Sequence, residues 1–369
     1  MAIPTTRIFL RSPFWVEEEN IDLSYMTLEL RIWNGDLTSD RPTYPNTKLR
    51  TTAVNGVCAI DIAEFARDFV EVTFGGSQDS DAVWISYIKT KVFTDGNAFD
   101  EPEEFLTGLD GYGNYQDGRN YQWYKNFLLS PDDMTAYPEV NANIPILQDH
   151  LTGWKLQTKN FNTNSYHTFH TISGLSPIED TGSVVRYIAT SSGGVFADRI
   201  LASFDNAPDE AFYINYGDCN KYGVSELFFV NKGGAMQPLH FFGKYEVGLK
   251  AKSVTFDRNI SDGIGNYSDT RHQKYTIDRN AEISFVMNTG WVNEEDNESF
   301  IEMMLSEQVW VKVDTTKLGK GWLPKTSPFW IVPVNIQTND TIIKNRINDN
   351  MINYTFKFQS AYDWINTVR

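Results

Sequence analysis

Five histidines and two cysteines are the residues of this 369-residue chain best suited to hold a metal or to attack a substrate: His150, His167, His170, His240, His272, Cys58 and Cys219. Only His167 and His170 are close in sequence. If Tyr166–Thr171 is extended, positions three apart project to opposite faces, so the pair is expected not to share a metal. Cys58 and Cys219 lie most of a domain apart and form no disulfide framework, which suits small buried thiols in a reducing compartment. No Gly-x-Ser-x-Gly elbow occurs, nor a phosphate-cradling Gly-Lys-Ser/Thr loop, nor a Gly-x-Gly-x-x-Gly between a strand and a helix. The 48 Asp and Glu could form a glycosidase pair in three dimensions without leaving a sequence trace, although carboxylates are ordinarily solvated surface. Asp110-Gly111-Tyr112-Gly113-Asn114 lacks the alternating oxygen ligands and closing Glu of a calcium hand. No catalytic residue, cofactor site or metal site is assigned, and the chain is expected not to be an enzyme.

Charge narrows the partners. With 32 Lys and Arg against those 48 acids the net charge is −16, and the basic stretches (Lys312–Lys325, Lys344–Arg346) are short and interrupted. Sequence-specific nucleic-acid binding is therefore disfavoured. An acidic wall along which DNA slides is compatible with this charge, as is acidity serving only solubility. Met1–Ile8 does not read as a secretory signal, and no apolar run approaches the ~18 residues of a membrane span. The expectation is a soluble protein made in the cytoplasm.

The elements that would position any site read as β-structure. Aromatic residues are 14% of the chain, and they favour pleated, half-buried surfaces. Alternation bounded by turns marks Tyr25–Trp33 before Asn34-Gly35-Asp36, Val83–Val92 before Asp95-Gly96, and Ile352–Phe358 near the end. Glu226–Val230 and Gln237–Phe242 flank Asn231-Lys232-Gly233-Gly234, where Asn followed by glycines supplies the positive φ angles of a hairpin turn. Helical periodicity is confined to two stretches. Asp61 can cap a helix with Ile62, Phe65, Ala66, Phe69 and Val70 on one face, and Asn293 can cap another with Phe300, Ile301, Met304 and Leu305.

Between Asp95 and Leu147 the pattern dissolves into Gly, Tyr, Asn, Asp and Pro, densest at Gly108–Gly118. Its aromatics argue against disorder. Tyr112, Tyr115, Tyr121, Trp123, Tyr124 and Phe127 are the candidate interface residues of this loop, since rings at that density need cover and a neighbouring copy or another protein would supply it. The same Tyr and Trp side chains could instead stack on sugar rings, giving a carbohydrate- or host-receptor-binding module as the alternative. An Asn- and Thr-rich stretch, Thr158–Thr168, is the expected inter-domain connection. The fold class expected is mainly β: two or more antiparallel β-sandwich domains with long loops and two short helices. Residues 1–172 form an N-terminal sandwich with the insertion at about 95–147, and 173–369 a C-terminal β region divisible at about 247/248.

The segment Tyr222–Phe242 (Tyr-Gly-Val-Ser-Glu-Leu-Phe-Phe-Val-Asn-Lys-Gly-Gly-Ala-Met-Gln-Pro-Leu-His-Phe-Phe) resembles one found in virion proteins of tailed phages that infect Bacteroidetes, including the crAss-like group. Met287-Asn288-Thr289-Gly290-Trp291, Met304–Trp310, Asn348–Thr355, Ala361-Tyr362-Asp363, Gly111–Gly118 and Ser12-Pro13-Phe14 are similar to that group as well. The blocks touch most of the chain, and none is a catalytic fingerprint. The resemblance implies a structural tail, ring or baseplate-type component, located in the virion tail and assembled in the host cytoplasm. Its implied partners are copies of itself in a ring and neighbouring tail or neck proteins.

Overall fold

The computed structural model of the chain describes residues 6–70, 72, 74, 82–123, 125–129, 132–137, 140–147, 151–160, 162–175, 184–205, 207–217, 224–259, 265, 269–314, 329–338, 343 and 351–365. The protein is mainly β, with three large sheets, four small strand pairs and two short α-helices among these residues. Neighbouring strands are antiparallel except where Arg7–Phe9 meets Glu104–Leu109 and Asp133–Ala136 meets Ala207–Tyr216. Cys58 is buried and unpaired, and Cys219 lies outside the described residues.

The N-terminal sheet runs Arg7–Phe9, Glu104–Leu109, Val83–Phe93, Leu23–Trp33, Thr47–Thr52, with Ala98–Asp100 also joined to Val83–Phe93. Alternation sends Met26, Leu28, Leu30, Ile32, Val83 and Ile85 to one face. The strand pair Trp15–Glu19/Val57–Asp61 and helix α1 (Ala63–Arg67) contribute Val16, Ile60, Ile62 and Ala66 to the same core. Asp61 Oδ1 accepts from Ala63 N at 3.0 Å at the start of α1, which buries Ala66 and leaves Phe65 exposed. The opposite face of this sheet contributes Phe9, Trp33, Trp84 and Leu109 to a separate cluster.

The middle sheet runs Ser165–Ser173, Leu151–Asn160, Arg199–Phe204, Ala207–Tyr216, Asp133–Ala136 and shares a core with the pair Asn143–Leu147/Val185–Ala189. The expected connection Thr158–Thr168 is here part of a hairpin inside one sheet: Thr158, Lys159 and Asn160 pair with His167, Tyr166 and Ser165. The boundary expected at residue 172 consequently falls within the strand Ser165–Ser173, and its sheet draws strands from both sides. The insertion expected at 95–147 holds four strands, Ala98–Asp100, Glu104–Leu109, Asp133–Ala136 and Asn143–Leu147, so its irregular part is shorter than its composition implied.

The C-terminal sheet has seven strands in the order Met236–Phe241, Ser225–Val230, Val309–Asp314, Phe329–Ile336, Thr355–Ser360, Lys274–Asn288, Tyr245–Asp257, so it spans the division expected near 247/248. Helix α2 (Asn297–Leu305) packs Phe300 and Met303 into the core with Phe241, Phe285, Phe356 and Phe358. The expected buried face of α2 was Phe300, Ile301, Met304 and Leu305. A 3-10 turn at Glu294–Asp296 precedes the helix, and the buried face is Ser299, Phe300, Glu302 and Met303, with Ile301 and Leu305 exposed. No helix among the described residues is long and apolar enough to cross a membrane.

Candidate interaction surfaces

The aromatic loop does not stand off from the chain. Trp123 and Phe127 are 8% and 4% exposed, Tyr112 and Tyr121 are half-buried, Tyr115 is fully exposed, and Tyr124 lies outside the described residues. Trp123 and Leu128 complete the cluster begun by Phe9, Trp33, Trp84 and Leu109, together with Leu147, Val185 and Ala235. Phe9 stands 5.6 Å from Tyr121 and 6.0 Å from Trp123, ring centre to ring centre. Phe127 packs instead into the middle core, 5.5 Å from Phe212. Parts of all three sheets thus meet on this loop, and the chain itself covers rings that the sequence assigned to a neighbour.

The partner across the loop is the hairpin turn 231–235. Tyr112 N donates to Lys232 O at 3.0 Å, and Asn231 Nδ2 donates to Leu128 O. Lys232 Nζ lies 3.3 Å from Asp117 Oδ2 and 5.3 Å from the ring centre of Tyr121. A Cβ on Gly111 would lie 2.5 Å from Lys232 O, and one on Gly234 would lie 2.7 Å from Gly111 N. Those two glycines let two backbones touch. The turn was expected to need positive φ along its glycines, but only Gly234 has it, at 78°. Burial pushes the Asp110 carboxyl up to about 6, against the pull of Arg11 and Arg67.

A second junction joins the middle and C-terminal sheets. Alternation along Asp133–Ala136 turns Met134 and Ala136 into the core, while Thr135 and, one residue beyond the strand, Tyr137 meet the C-terminal sheet. Thr135 donates from N and Oγ1 to Asp296 Oδ1 and Oδ2 at 3.1 and 2.6 Å, and Tyr137 N donates to His240 Nδ1 at 3.2 Å. Burial and the neighbouring Glu295 push the Asp133 carboxyl up to about 7, and burial pushes Asp296 up to about 6. Burial also holds the His240 imidazole down at about 4, so it stays neutral and its Nδ1 remains an acceptor.

The histidine geometry differs from the expectation. Leu156 pairs with His170 and Thr158 with His167 across a bulge, and residues two apart on a strand face the same way, so both histidines lie on one face. Among the described residues no group of three His, Cys, Asp or Glu is placed to hold a metal.

Uncovered apolar surface lies elsewhere. Tyr245–Asp257 and Lys274–Asn288 pair along their length, but only Ser284–Asn288 of the second strand joins the next strand of the sheet. Residues 360–365 follow the second strand as far as Asn280, where Ile365 N donates to Asn280 Oδ1 at 2.9 Å and Trp364 N to Ala281 O at 2.6 Å. Beyond that point the two strands continue as a ribbon, about 17 Å long at ~3.4 Å per residue for Ser253–Asp257, on which Val254, Phe256, Tyr275 and Ile277 are exposed. Register puts Val254, Phe256 and Tyr275 on one face, with the Phe256 and Tyr275 rings 5.6 Å apart. Residues 244–282 hold seven Lys and Arg against six Asp and Glu, so this segment lacks the acidity of the chain as a whole.

Sequence reasoning missed the ribbon. Its signal was two long alternating runs, Tyr245–Asp257 and Lys274–Asn288, with polar residues on both faces at their distal ends, a pattern that no packed sheet produces.

No protein-family model matches the chain, and no curated protein matches it. Among solved structures it is similar to a cryo-EM reconstruction of the native conformation of E. coli alpha-2-macroglobulin, at 7% identity and a TM-score of 0.22, over 91% of this chain and 23% of that one. The chain spans under a quarter of that protein's length, and likeness of this degree carries no argument about fold or function.

Proposed function

We propose that the chain is a structural component of a bacteriophage virion: a tail, ring or baseplate-hub protein that forms a closed oligomer and binds neighbouring tail proteins. The observation that carries this reading is the projecting ribbon. A two-stranded ribbon with exposed apolar side chains is marginally stable in water alone, and its edges, unpaired among the described residues, invite further strands. Val254, Phe256 and Tyr275 gain cover if the ribbon lies against a second copy. The near-neutral ribbon meets no net repulsion from the acidic remainder of that copy, whereas two acidic faces would repel. Head-to-tail contacts of this kind, one element on a different surface of the next copy, generate closed rings when the rotation closes. The resemblance of Tyr222–Phe242 and the other sequence blocks to virion proteins of tailed phages supports the same reading.

The test is assembly. Purified chain at rising concentration should form rings of one size in negative stain, and the double variant Phe256→Glu, Tyr275→Glu should remain folded and monomeric. A wild-type chain that stays monomeric at high concentration and is absent from purified particles would sink the proposal. Normal rings from the double variant would remove the ribbon from it.

A further inference from the structure

One end of the C-terminal sheet carries a cleft of about 450 Å³, within the range of roughly 300–1,000 Å³ typical of small-ligand sites. Its floor is the outward face of three strands, with Glu246 beside Val286 and Asn288 beside Thr355. Its walls are the turns at 242–244 and 289–291, with Asn353 between. The turns close on each other because both contain glycine. A Cβ on Gly243 would lie 2.3 Å from Asn288 Oδ1, and one on Gly290, at φ 75°, would lie 2.9 Å from Phe242 Cβ. Trp291 follows that turn and is 65% exposed, whereas Trp33, Trp84, Trp123 and Trp310 are all buried.

We infer that this cleft binds a neutral saccharide, one pyranose ring stacking on Trp291 and its hydroxyls bonding to Lys244, Glu246 and Thr355. An indole offers a flat apolar face, and burying that face against a ligand recovers hydrophobic free energy that exposure forgoes. Around it stand an ammonium, a carboxylate, two amides and a hydroxyl. A sugar hydroxyl both donates and accepts, so it needs such a mixture. Lys244 Nζ lies 2.7 Å from Glu246 Oε1, and the pair carries no net charge that would select an ionic ligand. The polar wall is held in place before any ligand arrives. Asn288 Nδ2 donates to Asn353 Oδ1 at 2.8 Å and to Thr355 Oγ1 at 2.9 Å, while its Oδ1 accepts from Gly290 N at 2.9 Å and Asn353 Nδ2 at 3.0 Å. Preorganisation of this kind cuts the cost of ordering polar groups when a ligand binds. A protein partner is the poorer fit, because a stable interface needs about 800 Å² per side with several anchors, and this site offers one aromatic ring in a small cleft.

The inference stands apart from the assembly role. Calorimetric titration of the full chain with linear hexasaccharides of glucose, mannose, galactose and N-acetylglucosamine should give saturable binding for at least one of them. Trp291→Ala should weaken that binding about ten-fold or more, and Trp291→Tyr should stay within about three-fold, with melting temperature and oligomer size unchanged in both. Absence of heat from all four sugars at about 1 mM, or equal binding by Trp291→Ala, would overturn the site. A change of oligomer size in Trp291→Ala would overturn it too, by assigning the indole to a protein contact.

Discussion

The loop from Asp110 to Leu129 and the ribbon of Ser253–Asp257 with Lys274–Arg279 both carry aromatic rings on backbone that a packed sheet does not hold, yet the chain buries most of the rings of the first and leaves those of the second half-exposed. The loop runs back over Phe9, Trp33 and Trp84 and under the turn at Asn231, so Trp123 and Phe127 become core. The ribbon runs away from its sheet, and the ring beside Phe256 among the described residues is Tyr275, 5.6 Å away. Local composition does not separate the two cases. What separates them is whether a distant segment arrives to take the rings out of water.

The comparison breaks first at Trp123. Trp123→Ala should destabilise the protein by about 3–5 kcal/mol, the usual cost of emptying a large buried aromatic site, as read from the denaturant midpoint. Combined replacement of Tyr112, Tyr115 and Trp123 by Ala should therefore unfold or loosen the chain rather than yield a folded, assembly-defective protein. Gly234→Val should cost about 2–3 kcal/mol, since it combines a positive φ with a clash against the backbone of Gly111. Gly233→Val should cost only about 1 kcal/mol, because its backbone is unstrained and its new Cβ would sit 3.2 Å from Leu128 O. Equal losses for the two glycines would mean that the loop does not press on the turn.

Proton linkage sharpens the contrast between a covered junction and a bare surface. The folded state raises the Asp133 carboxyl from 3.8 to about 7. Between those values the folded protein binds more protons than the unfolded chain, so this group's contribution to stability falls as pH rises from about 4 to about 7. His240 has the opposite sign: lowered from 6.5 to about 4, it costs stability as pH falls through that window. Asp133→Asn should flatten the loss of stability between about pH 4 and pH 7 in denaturant titrations while leaving the proposed ring assembly intact. A slope unchanged by the substitution would show that the carboxyl is solvated. The smallest thermodynamic effect belongs to the ribbon and the loop tip. Phe256→Ser and Tyr115→Ala should each change stability by less than about 0.5 kcal/mol, as exposed positions do, and only the first should impair assembly.

Much of the fold was legible. The alternation read at Tyr25–Trp33 and Val83–Val92 appears as Leu23–Trp33 and Val83–Phe93, and the hairpin read around Asn231 appears as Ser225–Val230 with Met236–Phe241. The alternation read at Ile352–Phe358 holds, with Ile352, Tyr354, Phe356 and Phe358 buried, although the run is split into Met351–Ile352, paired with Val292–Asn293, and Thr355–Ser360 in the seven-stranded sheet. Both helices were placed, and of the face read for α2, Phe300 and Met304 pack on the core while Ile301 and Leu305 are exposed. The faces of the histidine pair were misread because a bulge shifts alternation by one. The aromatic loop's contribution was beyond local reading: part of its cover, Phe9 on Trp123 and the turn at Asn231 on Leu128, comes from residues more than a hundred positions away.

The closeness of Gly111 to Gly234 also sets a timetable. The side of the N-terminal sheet bearing Phe9, Trp33, Trp84 and Leu109 is complete once residue 109 has been made, but Ala235, which helps to close that cluster, is synthesised more than a hundred residues later. At ~5–20 residues per second the interval is on the order of ten seconds. During it the cluster is closed on the side of Trp123, Leu128 and Leu147 but still lacks Ala235, and contacts so distant in sequence also close slowly. Production of this protein in isolation should therefore depend on chaperone capacity and temperature more than its final stability suggests, with aggregation arising from chains that stall before the hairpin emerges.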